Sequence, residues 1–145
     1  MSFNQLSSLP TTISTDLPNL IVLDLSNNQF QGNIIQPSLV YIRELDLGNN
    51  LLTTLNGIGE YQVLQRLTSN YNQIRTILLP LEIMRISPIL QYLSITSNLL
   101  SSIPYQMTNM RSLRYVFAMN NTIPYDEKAY IIKLFQGTSI TINLF

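Results

Sequence analysis

Few residues of this chain could do acid–base or covalent chemistry. There is no His and no Cys. That removes serine–histidine and cysteine–histidine nucleophiles, thiolate metal sites and every His-based metal site. Of the carboxylates, Asp24 and Asp46 share one local context, Leu-Asp-Leu, 22 positions apart. Two carboxylates held together can do general acid–base work, or bind Ca²⁺ through oxygen alone, when a cleft keeps bulk water away. Gly57-Ile58-Gly59 is a GxG without a third glycine and reads as a turn; no GxxxxGK[ST] phosphate loop occurs. Asn120-Asn121-Thr122 is an N-glycosylation sequon, a triplet that arises readily by chance in an Asn- and Thr-rich chain. What does recur is an amide: Asn4, Asn28, Asn50, Asn72, Asn98 and Asn121 follow one another at intervals of 22 to 26 residues. An Asn side chain supplies both donors and acceptors.

The elements that carry these residues must fit into 145 residues, one domain's length. Charged residues make up only 11% and the formal net charge is zero, so no basic face is available for nucleic acid and no polybasic run for an anionic membrane. No apolar run reaches the roughly 18 residues that would span a bilayer. The start, Met1-Ser2-Phe3-Asn4-Gln5, has neither the basic nor the apolar region of a signal peptide. Read as a complete chain it is expected in the cytoplasm; read as a piece of a receptor, outside the cell.

Each recurrent Asn closes a repeat. Leu20-Ile-Val-Leu23-Asp-Leu25-Ser-Asn-Asn28-Gln-Phe30 is followed by Ile42-Arg-Glu-Leu45-Asp-Leu47-Gly-Asn-Asn50-Leu-Leu52. Leu64-Gln-Arg-Leu67-Thr-Ser69-Asn-Tyr-Asn72-Gln-Ile74 and Leu90-Gln-Tyr-Leu93-Ser-Ile95-Thr-Ser-Asn98-Leu-Leu100 come next. A more worn fifth copy is Leu113-Arg-Tyr-Val116-Phe-Ala118-Met-Asn-Asn121-Thr-Ile123. Alternate side chains of a strand share a face, so Leu23 and Leu25 point inward while Asp24 and Ser26 point outward. Asn27-Asn28 and its equivalents end the strand as turn residues. The tail Leu100-Ser-Ser-Ile103-Pro104 adds an inward Ile and a proline that enforces an extended or turned path. One repeat cannot bury its own apolar face, but stacked neighbours can.

The five copies resemble the leucine-rich-repeat family, with its consensus LxxLxLxxN/CxL, in a mixed and mostly general form. Asn28-Gln-Phe30-Gln-Gly32-Asn-Ile34 is similar to the NxLxGxI variant of plant-type extracellular repeats, once. Ser69 and Ala118 depart from the consensus by placing small groups at apolar positions. The 26-residue step to Asn98 contains a further apolar stretch, residues 78–86, that reads as a short helix on the convex side. The resemblance implies an α/β leucine-rich-repeat solenoid: a short curved horseshoe segment, with a parallel β-sheet on the concave face and loops or short helices on the convex face. It also implies that the recurrent Asn side chains satisfy backbone groups at the turns and form a ladder from coil to coil.

Repeats occupy residues 1–123, as a partial first repeat plus five copies. Met1 falls where the second strand leucine belongs, so the chain opens in mid-repeat and is expected to expose Phe3, Leu6 and Leu9. Residues 124–145 differ. Ala129–Phe135 reads as a helix with Asp126 and Glu127 at its start, where the helix dipole favours them, and Gly137 as its stop. Residues 139–144 alternate like one more strand. This segment is either a closing cap or the start of a truncated repeat.

The variable positions of LxxLxLxx would face solvent in columns. Asp24, Glu44 and Asp46 make the first columns acidic. Tyr71, Tyr92, Tyr115 and Phe117 gather in the later repeats, with Arg66 and Arg114 nearby, and Tyr and Arg are typical anchors of protein interfaces. These six, Arg66, Tyr71, Tyr92, Arg114, Tyr115 and Phe117, are the candidate partner-binding residues; aromatic side chains also fit strands well for purely structural reasons. No catalytic, cofactor or metal residue is singled out, because Asp24 and Asp46 would lie on an open sheet. The expected function is non-catalytic binding of a protein through the concave face. The alternatives are a fragment of the ligand-binding ectodomain of a larger receptor or receptor kinase, and a regulatory subunit bound to an enzyme.

Overall fold

The computed structural model describes residues 4–32, 39–55, 57–77 and 89–145. The stretch 78–86 read as a helix, the residue Phe3 and the end of the NxLxGxI segment at Ile34 lie outside them. Six strands of three residues each form one parallel sheet in chain order: β1 Val22–Asp24, β2 Glu44–Asp46, β3 Arg66–Thr68, β4 Tyr92–Ser94, β5 Tyr115–Phe117 and β6 Thr141–Asn143. The register aligns equivalent repeat positions, Leu23 with Leu45, Leu67, Leu93, Val116 and Ile142. Parallel neighbours need a crossover. Here it is one coil of the solenoid, returning through a 3-10 helix at Ile58–Glu60 between β2 and β3 and at Tyr105–Asn109 between β4 and β5; α1 (Ile13–Asp16) leads into β1.

The first five strands are short because a left-handed residue follows each. Asn27, Asn49, Tyr71, Ser97 and Asn120 occupy one repeat position, with φ between 52° and 59°. That conformation reverses the chain, and Asn tolerates it better than other residues with a side chain. The amide of each of the first four still donates to the next coil, as Asn27 to the Gly48 carbonyl at 2.8 Å.

The core lies behind the sheet as stacked columns. Ile42, Leu64, Leu90 and Leu113 form one, Leu45, Leu67, Leu93 and Val116 the next, then Leu47, Ser69, Ile95 and Ala118, and then Phe30, Leu52, Ile74 and Leu100; all are buried. Ser69 and Ala118 are fully enclosed despite their size. At the first coil Leu6 is 51% exposed and Leu9 is partly buried against the core.

After the fifth repeat, α2 runs Tyr125–Phe135. It begins one turn before Ala129 because Pro124, at φ −59°, leads directly into it and places Asp126 and Glu127 in the first turn. Gly137, at φ 85°, follows its end. Ile131 and Phe135 turn inward, and β6 then pairs with β5. Among the described residues no helix is long and apolar enough to cross a membrane.

Candidate functional site

The outward face of the sheet is set by strand alternation. On β4 and β5, Leu93 and Val116 point into the core, so their neighbours Tyr92, Tyr115 and Phe117 point out. Register places Tyr92 beside Tyr115 and Ser94 beside Phe117. The three rings form a cluster: centroids are 5.4 Å apart for Tyr92 and Phe117, 6.5 Å for Tyr92 and Tyr115, and 6.5 Å for Tyr115 and Phe117. The last pair stacks at 15° between planes. Contacts of this kind contribute about 0.5–1.5 kcal/mol each beyond area burial, which holds the rings as a fixed platform.

Arg66, one strand earlier in the same column, places its guanidinium 3.7 Å from the centre of the Tyr92 ring. This cation–π contact holds the guanidinium against the ring, and the Arg66 side chain also borders the hollow shared with Glu44, its register partner on β2. The structure therefore brings together Arg66, Tyr92, Tyr115 and Phe117. Two other candidates stand apart. Tyr71 is exposed in the turn after β3, outside the ring cluster. Arg114 is exposed too, but its Nη1 donates to the Arg111 carbonyl at 2.8 Å, the Leu113 carbonyl at 2.9 Å and Ser139 Oγ at 3.2 Å. It holds the approach to β5 against the 137–140 loop.

At the other end, Asp24 and Asp46 are register partners on β1 and β2. Each has a turn to hold: Asp24 Oδ1 accepts from the Ser26 amide at 2.9 Å, and Asp46 Oδ1 from the Gly48 amide at 2.8 Å. They lie on an open surface with Glu44, around a shallow hollow of about 190 Å³ over Leu23 and Leu45 that Arg66 and Thr68 also line. Among the described residues no three metal-ligating side chains converge.

The asparagines lie behind the turns. Asn50 Nδ2 donates to the carbonyls of Leu47 and Gly48 in its own coil and of Leu25 in the previous one, while Oδ1 accepts from the Phe30 amide at 3.0 Å. Asn72 and Asn98 repeat the arrangement, accepting from the Leu52 and Ile74 amides. Asn121 accepts from Leu100, and Asn28 from Leu6. Asn4 is exposed on the first coil.

One residue that the repeat pattern left among the variable positions has a distinct task. Asn70 Oδ1 accepts from Ser94 Oγ and from the Thr96 amide, both at 2.8 Å. It does across coils what Asp24 and Asp46 do within theirs. The signal was the loss of Asp from this column after the second repeat, where Thr68 and then Ser94 follow Asp24 and Asp46.

A parallel strand per coil, a left-handed turn and an Asn behind each turn define a repeat solenoid. Residues 19–39 match the family described as Leucine Rich Repeat. Over 118 residues, 81% of this chain, the sequence is 32% identical to leucine-rich repeat-containing G-protein coupled receptor 5 of Rattus norvegicus, 13% of which is covered. A leucine-rich-repeat protein of Leptospira interrogans superposes with a TM-score of 0.82 at 26% identity, over 99% of this chain and 36% of that one. A chain in the octameric complex of latrophilin 3, Unc5D and FLRT2 superposes at 0.80 with 19% identity, over 99% of this chain and 46% of that one, a likeness of fold. The chain belongs to the leucine-rich-repeat family. It spans less than half the length of each of these relatives.

Proposed function

We propose that this chain is a non-catalytic module that binds a protein through the concave face of its sheet, with Tyr92, Tyr115 and Phe117 as anchors. The observation that carries the reading is the ring cluster itself. Three aromatic side chains and a guanidinium are held in fixed geometry on the outward face, Tyr115 at 49% exposure. Ordered aromatic surface of this kind costs little side-chain entropy on binding and gains much area. The solved complex in which FLRT2 is assembled with latrophilin 3 and Unc5D supports the reading by analogy. The carboxylates Asp24 and Asp46 hold their own turns on an open surface, which supports a binding role over acid–base work.

The match to a receptor over 118 residues favours one further version of this reading, in which the chain is a segment of a larger receptor's ligand-binding ectodomain. The test of the binding face is the double substitution Tyr92→Ser with Phe117→Ser. Partners recovered from a source extract by the wild-type chain are expected to be lost, with the melting temperature lowered only slightly. A folded double variant that recovers the same partners refutes the assignment.

A further inference from the structure

One motif stands outside the binding reading. Asn120-Asn121-Thr122 is the chain's single Asn-x-Ser/Thr triplet. Chance accounts readily for such a triplet, but not for where it falls in the fold. Asn120 holds the left-handed turn position after β5, at φ 52°, and is exposed. Asn27 and Asn49 fill the same position in the first two repeats, but Gln29 and Leu51 stand two residues on. Of the five repeats only the last puts a hydroxyl there, in Thr122. The two amides of the triplet have opposite surroundings. Asn121 Nδ2 donates to the Ile95, Ala118 and Met119 carbonyls and its Oδ1 accepts from the Leu100 amide, so it is committed to the ladder. The Asn120 side chain has no hydrogen-bond partner among the described residues. Its counterpart Asn27 donates to Ser26 Oγ, whereas Met119, the residue before Asn120, offers no such oxygen. Thr122 is exposed, with Oγ1 donating to the Leu100 carbonyl at 2.9 Å.

We propose that Asn120 is an acceptor site for N-linked oligosaccharide. The triplet is the acceptor pattern, with a residue other than Pro in the middle. A bulky polar sugar is tolerated only where the side chain already projects into water, as Asn120 does. In the reaction Nδ2 of Asn120 attacks the anomeric carbon of an oligosaccharide carried on a lipid diphosphate. The bond from that carbon to Nδ2 forms and its bond to the diphosphate oxygen breaks. The lipid diphosphate leaves, the amide gives up one proton, and nothing is oxidised or reduced. The modified side chain has no internal hydrogen bond to lose, so the coil is undisturbed. Asn120 lies three residues beyond Phe117, in the turn and not on the strand. The sugar therefore stands at the edge of the ring cluster and leaves its outward face to a protein. The inference rests on the ectodomain version of the proposed function, because the triplet acts as an acceptor only in a chain that is exported.

The test is expression of the whole chain behind a cleavable secretion signal in a cultured eukaryotic cell, with the chain recovered from both cells and medium. It is expected to run as a heavier species that peptide N-glycosidase returns to the unmodified mass. Release by that enzyme turns the acceptor amide into a carboxylate, and peptide mass spectrometry should place the change at residue 120 and nowhere else. Asn120→Asp, a side chain that tolerates the left-handed turn, should abolish the heavier species. So should Thr122→Val, whereas Thr122→Ser should retain it, with a hydroxyl still present for the Leu100 carbonyl. Melting temperatures of the purified variants check that they fold. A folded chain from the secretory pathway with Asn120 unmodified, or with a sugar on another asparagine, would overturn the inference. Fractionation of source cells tests the ectodomain version on its own. A native chain confined to the cytosol would sink that version, while modification at residue 120 of the exported chain would still uphold the acceptor assignment.

Discussion

Asn50 joins two coils with one side chain. Its amide makes three donor contacts and one acceptor contact, two of the four reaching the previous repeat, and the residue is buried. Asn50→Leu matches its size but strands the Phe30 amide, while the Leu25 carbonyl keeps its other donor, Asn28 Nδ2. An unsatisfied buried backbone group costs about 1–3 kcal/mol, so stability in urea should fall by about that amount; an unchanged midpoint would remove the amide from the account of the fold. Tyr71 is the opposite case. It holds the left-handed turn position at φ 55°, which Asn fills in three of the other four repeats. A bulky side chain is strained there, and the ring is 59% exposed and buries little in return. Tyr71→Asn should therefore raise stability by about 0.5–1 kcal/mol, read as an upward shift in the urea midpoint. The sequence made Asn50 legible, because its spacing is locked to the leucines. It did not separate Tyr71 from Tyr92 and Tyr115. All three occupy variable positions, and only the backbone angle distinguishes a turn residue from a strand residue.

At the scale of elements, each strand was legible from two features, alternation of apolar residues and a turn signal directly after. The sheet order follows from stacking the repeats in sequence. The ring cluster was legible as a set of columns, but the place of its charge was not. Arg66 and Arg114 look alike in the sequence, each one or two positions after a repeat's leading leucine. They diverge because Arg66 has a ring beside it in register, whereas Arg114 faces carbonyls at the entry to β5 and Ser139 across the gap. The closing helix α2 shows the same mixture. Its inward face, Ile131 and Phe135, and its stop at Gly137 can be read from residue types, while its first turn depends on the geometry of Pro124. Gly137 adopts φ 85°, and a Cβ built there meets no atom within 4 Å. The cost of Gly137→Ala is thus conformational and not steric, about 1–2 kcal/mol. Thermal unfolding of that variant should show it. An unchanged melting temperature would mean that α2 and β6 unfold separately from the rest.

At the scale of the molecule, a solenoid has no contacts between distant coils, so stability is a chain of neighbour terms. The sheet makes this concrete: every strand pairs only with the strands before and after it in sequence. Leu67 lies on an interior strand and is buried from both sides, whereas Leu23 lies on the edge strand β1 and is only partly buried. Removing a fully enclosed leucine costs about 2–5 kcal/mol, and at β1 the cost should be smaller and local. Hydrogen exchange can separate the two. In Leu23→Ala the amides of Leu25 and Asn27, which bond to the Asp46 and Gly48 carbonyls, should exchange faster. The amides of Ile95 and Ala118, three and four coils away, should keep their protection. In Leu67→Ala the weakened interface divides the array, so the amides of Leu47 and Ser69 should speed up on both sides of it. Equal acceleration of all these amides in both variants would show that the coils open only together. The concave face would then be a single rigid platform, and contacts made at one end of the sheet would be coupled to the other end through the whole sheet rather than through neighbouring strands.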